Sequence, residues 1–136
     1  MNKKELIAFL KANPIAYLAT VEDGSPRVRA MAVYKIEEDG ILIQTWQSKD
    51  LGKQLNLNPE AELCFNNHEA GFQVRVRGIF ELVEDPETIR QSLADRPFLK
   101  QFVEKGEEIA LFRMKEGLAH TWNMASNFEP KTFTRL

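Results

Sequence analysis

Arg27 and Arg29 stand at alternate positions of an extended segment, and Thr45, Ser48, Lys49 and Lys53 follow downstream. Alternation puts both arginines on one face of a strand. Ser48 and Lys49 occupy a polar turn at the expected start of a helix. Lys53 comes four residues after Lys49, so the two share a helix face. A helix start offers unpaired N–H groups and the positive end of the helix dipole. With a hydroxyl and two ammonium groups beside it, it suits a phosphate dianion. Guanidinium groups add bidentate contacts that a lysine cannot make. Taken singly, each of these residues also reads as ordinary surface charge; it is the spacing that points to an anionic ligand. The whole chain has 18 Lys and Arg against 20 Asp and Glu, a net charge of −2. That balance gives no general attraction to nucleic acid or to an anionic membrane, so the cation cluster is a local feature.

The elements that must hold this cluster are short and mostly extended. Residues 3–12 form an amphipathic pattern with Leu6, Phe9 and Leu10 on one face, ended by Asn13-Pro14. Ile15 to Val21 reads as a strand, and Asp23-Gly24 as a hairpin turn. The second strand alternates Val28, Ala30, Ala32, Tyr34 and Ile36, expected toward the core, with Arg27, Arg29, Met31, Val33 and Lys35. Glu38-Asp39-Gly40 turns the chain into a third strand, 41–46. A helical stretch to about Asn58 is stopped by Pro59. Strands follow at 60–66 and 72–83, the second interrupted by Gly78, a candidate bulge or barrel corner. Asp85 caps a helix with Pro86 at its first position. Helical segments are expected at 86–94 and 97–104, strands at 109–114 and 118–123, and extended chain at 131–135. Connections this short suit antiparallel pairing rather than crossovers. The pattern is mainly β, a barrel with flanking helices in a single domain over residues 1–136, with a β-sandwich as the rival architecture.

Other residues capable of chemistry have simpler readings. Cys64 is the only cysteine, so no intrachain disulfide can form and a reducing, cytoplasmic setting is expected. Between Leu63 and Phe65 it reads as a buried, inert thiol. His68 and His120 are scattered relative to Cys64, and no metal site is expected. No apolar run approaches the ~20 residues of a bilayer span. Trp46 and Trp122 suit core or interface packing, with a place near a bound ligand as the alternative. Arg75 and Arg77 face solvent or a partner subunit, or make a second anion patch.

Five ordered pieces carry a resemblance. They are Tyr17-Leu18-Ala19-Thr20-Val21; Gly24-x-Pro26-x-x-Arg29; Thr45-x-x-Ser48-Lys49 with Lys53-Gln54-Leu55-x-x-Asn58-Pro59; Gln73-Val74-x-Val76-x-Gly78; and Glu129-Pro130-Lys131-Thr132. Together they span nearly the whole chain and resemble the FMN-binding split-barrel proteins related to pyridoxamine 5′-phosphate oxidase. The resemblance implies a six-stranded antiparallel split barrel and a homodimer with FMN in the cleft between subunits. It implies that Arg29 contacts the phosphate and ribityl region, that Ala30 and Met31 approach the ring through their backbone, and that Thr45 hydrogen-bonds the flavin. Ser48 and Lys49 would hold the phosphate and Gln73 would touch the ring or the ribityl chain. Arg27 and Lys53 are carried over with them, although the spacing near Lys49 differs by about one residue from the oxidase itself.

The oxidases also carry a longer C-terminal region with basic and aromatic residues for pyridoxamine phosphate. Here the sequence ends in Thr132-Phe133-Thr134-Arg135-Leu136 without that motif. The resemblance therefore implies flavin binding more strongly than pyridoxamine oxidation. Relatives of the barrel bind haem or a deazaflavin, and the two histidines give haem little support. Three functions follow for testing: a flavin-dependent oxidoreductase on a small organic or nicotinamide substrate, a non-catalytic flavin-binding stress or sensor module, and a barrel without ligand.

Overall fold

The computed structural model describes residues 1–136. Helix α1 (Lys3–Ala12) leads into the hairpin β1 (Ile15–Glu22) and β2 (Ser25–Ala32), then β3 (Lys35–Glu37) and β4 (Gly40–Trp46). Helix α2 (Asp50–Leu57) separates β4 from β5 (Glu60–Asn67) and the long β6 (Phe72–Leu82). Helices α3 (Pro86–Asp95) and α4 (Lys100–Glu104), joined by a 3-10 turn, precede β7 (Ile109–Met114), β8 (Leu118–Trp122) and the short β9 (Thr134–Arg135). No helix is long and apolar enough to cross a membrane.

One curled antiparallel sheet runs in the order β2-β1-β5-β6-β7-β4-β3. The curl follows from β6, which exchanges neighbours along a single edge. Gln73 to Arg77 pair with β8, and Phe80 to Leu82 pair with β7. Gly78 lies at the exchange point. A Cβ there would approach Met114 Cγ and Sδ to 3.0 Å, where the β7–β8 hairpin crosses the strand. The expected corner is thus a change of strand partner, and it splits the barrel.

The core fills the inside of the curl. Leu18, Leu63, Phe65, Val74, Val76, Ile43 and Phe112 are fully or almost fully buried, and α1 closes one end with Leu6, Ile7 and Leu10. Asn2 caps α1 by accepting from Glu5 N at 2.9 Å, and Asp85 caps α3 by accepting from Thr88 N at 3.0 Å. The β1–β2 turn is tight because Asp23 and Gly24 both take positive φ, 50° and 77°, as a two-residue hairpin turn of matching twist requires.

Three sequence expectations change. Nine strands form the sheet, against the six implied by the resemblance. The expected second strand breaks into β2 and β3 at Val33-Tyr34, where Val33 N donates to Pro14 O (3.0 Å) and Tyr34 N to Leu42 O (2.9 Å). The phase of β2 is also reversed. Val28 is 70% exposed and Ala30 and Ala32 are exposed, while Arg29 and Met31 are half-buried and Val33 is buried. Alternation cannot choose which face is inner on a strand whose two faces are both partly apolar. Here packing of Met31 and Val33 against the core decides.

Candidate functional site

At the sheet edge, β2 faces the end of β4 and the start of α2 across a cleft of about 630 Å³. Arg27, Arg29, Ala30, Met31, Thr45 and Lys49 all line it. The sequence had marked each of them. Val28, Gln44, Trp46, Asp50, Leu51 and Gln54 complete the walls. Three cations thus face one carboxylate, Asp50, in a protein of net negative charge.

Arg29 is held rigidly. Its Nη1 donates to Thr20 Oγ1 (2.7 Å) and Leu18 O (3.3 Å), and its Nη2 donates to Gln54 Oε1 (2.5 Å). Burial lowers its pKa from the usual guanidinium value, while the more distant Asp50 and Glu22 carboxylates oppose that shift. It makes no ion pair, so its partly desolvated charge is compensated only at a distance, by Asp50 and Glu22. Arg27 pairs loosely with Glu22 at 3.8 Å. Lys49 is exposed and makes no ion pair. Lys49 is also the N-cap residue of α2, and no side chain caps that helix start, so its first amides are open to a ligand. Thr45 is buried at the end of β4.

The remaining marked residues lie elsewhere. The Ser48 hydroxyl donates to Glu107 Oε2 at 2.5 Å, on the exposed rim. Lys53 points to solvent, off the cleft. The reason is helical phase. Buried Leu51 and Leu55 fix the inner face of α2 at i and i+4, and Lys53, two positions from each, lies opposite. The face toward the cleft therefore carries Asp50, Leu51 and Gln54, with Lys49 outside helical phase as the cap. The Leu51/Leu55 pair was the sequence signal for this. Gln44 was missed as well. It accepts from Arg96 Nη1 (3.0 Å) and donates to Ser92 O (3.0 Å), which ties the cleft floor to α3.

Gly52 sets how closely α2 approaches β4. A Cβ at this position would stand 2.4 Å from Trp46 O, a backbone atom that cannot swing away. Gly52→Ala is expected to destabilise the fold by about 1–3 kcal/mol and to push the helix start off the cleft. Chemical denaturation checks the first effect. A wild-type stability would show that the helix shifts freely.

Gln73 lies in a second cleft of about 390 Å³, with Arg75, His120, Trp122, Asn127 and Lys131 among its lining. Arg75 is tied to Glu62 Oε1 at 3.3 Å and donates through Nε to His120 Nε2 at 3.1 Å. Trp122 Nε1 donates to Asn127 Oδ1 at 2.8 Å, and Arg77 stacks on Phe133 at 4.4 Å. Trp46 packs edge-on against Phe102, centroids 5.7 Å apart. Cys64 is half-buried on the outer sheet face between Tyr17 and Arg75, and burial raises its thiol pKa.

Burial first, and the Arg75 cation second, hold the His120 imidazole below its ordinary pKa of 6.5. As pH falls, the unfolded chain binds this proton before the folded one does. The stabilising contribution is therefore complete above about 6.5 and is lost as pH drops toward the lower folded-state value. Asp85, Glu87 and Asp95, with depressed carboxyl pKa values, withdraw theirs only at more acid pH. Thermal melts on both sides of pH 6.5 are expected to show a fall in Tm that His120→Gln flattens. Equal slopes in the two proteins would remove His120 from the account.

The chain matches the family model described as pyridoxamine 5′-phosphate oxidase over residues 3–122. A pyridoxine/pyridoxamine 5′-phosphate oxidase of Bradyrhizobium sp. (strain BTAi1) is 38% identical over 71 residues, which cover 52% of this chain and 33% of that protein. The chain thus matches about a third of that relative's length. Among solved structures, a NimC/NimA family protein of Clostridium acetobutylicum superposes with a TM-score of 0.77 at 26% identity, covering 98% of this chain and 92% of that one. A pyridoxamine 5′-phosphate oxidase-related, FMN binding protein of Nostoc punctiforme PCC 73102 gives 0.66 at 17% identity, covering 96% and 88%.

Proposed function

Because the chain belongs to the pyridoxamine 5′-phosphate oxidase family, we propose that it is an FMN-binding flavoprotein, a homodimer that acts as an oxidoreductase on a small organic or nicotinamide substrate. The observation that carries this reading is the convergence of desolvated Arg29, free Lys49 and the uncapped start of α2 on one cleft. Such a donor set fits a phosphate dianion. Met31, Trp46 and Leu51 give the same cleft apolar surface for a planar ring, and its volume is in the range of ligand pockets.

Within this reading, Arg29, Lys49 and the α2 amides hold the phosphate, and Thr45 offers a hydroxyl to the flavin. Bound FMN would supply hydride or electron transfer, which no side chain of the protein provides. The rigid Arg29 orients the nucleotide and keeps positive charge beside it without needing to reorganise.

The dimer is supported by the outer face of the sheet. Ile15, Tyr17, Val21 and Val28, with Ala30 and Ala32, form an exposed apolar patch on the β1–β2 hairpin. The same face carries Gln73 and its cleft. Pairing two such faces would cover the patch and let the Gln73 cleft of one subunit complete the cation cleft of the other. The purified protein is expected to show flavin absorbance, or to gain thermal stability as FMN is added. Colourless protein with an unchanged melt at saturating FMN would overturn the reading. Flavin retained without turnover across nicotinamides and small organic substrates would leave a binding module in place of the enzyme.

A further inference from the structure

Gln54 occupies a position where a carboxylate would be the expected neighbour of a buried arginine. It is 3% exposed, on the face of α2 that meets β1 and β2. Its Oε1 accepts from Arg29 Nη2 (2.5 Å) and from Thr20 Oγ1 (2.5 Å). Its Nε2 donates to Glu22 Oε2 at 3.0 Å. Two donors at one end and a carboxylate at the other fix the amide's orientation chemically, since the reverse would set N–H groups against a guanidinium. Glu22 turns its other oxygen toward Arg27 at 3.8 Å. The chain of contacts runs Arg27, Glu22, Gln54, Arg29, Thr20, and the only negative charge in it is held one amide's length from Arg29.

We propose that Gln54 is a positioning residue that works as a neutral spacer, fixing Arg29 toward the cleft while keeping Glu22 from neutralising it, and so makes the cleft select ligands with an anionic tail. The inference rests on the flavin reading above and adds the source of its preference for a phosphorylated flavin. A glutamate at this position would make the same bonds to Arg29 and Thr20. It would also cancel the charge a phosphate needs and face Glu22 as a like charge.

Exchanging the two groups is the sharpest test. In the double variant Glu22→Gln/Gln54→Glu, the number of hydrogen bonds and the net charge stay the same. The carboxylate moves from Arg27 to Arg29, so the loose Arg27 pair opens as the Arg29 pair forms. Fluorescence titrations of the full-length protein with FMN and with riboflavin, which lacks the phosphate, read the preference. Relative to wild type, the exchanged protein is expected to lose about tenfold or more in FMN affinity, and less than about threefold for riboflavin. Gln54→Met removes the amide and adds no charge; Arg29 loses one anchor but keeps its charge, so the preference for FMN is expected to fall by less than in the exchange. An FMN-to-riboflavin ratio in the exchanged protein equal to wild type overturns the spacer role, as does a loss of preference in Gln54→Met as large as in the exchange. A wild-type protein that binds neither flavin overturns the flavin reading itself, and this inference with it. Wild-type binding of FMN alongside either of the first two results overturns the inference alone.

Discussion

The double variant Arg29→Ala/Lys49→Ala is expected to lose FMN almost completely, with affinity falling by about a thousandfold or more. Charge-assisted bonds to a phosphate are the strong class of hydrogen bond, and truncating a desolvated partner costs about 2–5 kcal/mol. Arg29 meets that description: it is half-buried, makes no ion pair, and spends part of its donor set on Leu18 O, Thr20 and Gln54. Lys49 contributes less alone, because it is exposed and its charge is screened. Removing both leaves the cleft lined by Arg27 alone among cations, with Asp50 opposing it. Isothermal titration with FMN measures the loss directly. The melting temperature supplies a second readout, since the concentration-dependent rise with FMN should vanish. Unchanged affinity in the double variant would mean that the cleft does not hold the phosphate. Arg29→Ala also removes the donor to Thr20 Oγ1 and leaves Gln54 Oε1 with the Thr20 hydroxyl alone, so its melt without ligand must be recorded beside the titration.

Val28→Glu is expected to convert the protein to a monomer and to lower flavin retention with it. Val28 is 70% exposed and sits opposite Ala19 in the β1–β2 hairpin, at the centre of the apolar patch. In an isolated subunit a glutamate there meets water and changes folding little. Against a second copy of the patch it becomes a buried, unpaired carboxylate, which costs at least about 3 kcal/mol, more than a hundredfold in dimer dissociation. Sedimentation equilibrium separates the two outcomes, and circular dichroism checks that the subunit keeps its strands. Val28 also lines the cation cleft, so a fall in FMN affinity is assigned to loss of the partner's Gln73 only if Ile15→Glu, on the same patch but off the cleft, shows it too. A Val28→Glu protein that stays dimeric would place the interface elsewhere. A monomer that binds FMN normally would confine the site to one chain.

Much of the layout of the candidate site was legible in local chemistry. Six of the nine residues marked from sequence line one cleft: Arg27, Arg29, Ala30, Met31, Thr45 and Lys49. Alternation along an extended segment and a polar turn before a helix are local signals, and they place a side chain without knowledge of distant partners. Spacing from Lys49 puts Lys53 on the cleft side, but the Leu51/Leu55 pair that anchors the helix turns it away. Ser48 was placed correctly in its turn, but Glu107, far along the chain, takes up its hydroxyl. Gln73 was placed on the right strand, and only the sheet shows that it opens into a different cleft.

Sequence by itself determined the mainly β character, the helix at 3–12, the Asp23-Gly24 turn, the Asp85 cap and the concentration of cations around β2 and α2. Each rests on propensity, periodicity or capping, forces that act within a few residues. Tertiary structure alone decided which face of β2 turns inward, how β6 trades β8 for β7 at Gly78, and that Gln54 stands between Glu22 and Arg29. Those outcomes depend on groups distant in sequence competing for the same core volume and hydrogen-bond donors, and that competition is settled only when the whole sheet closes.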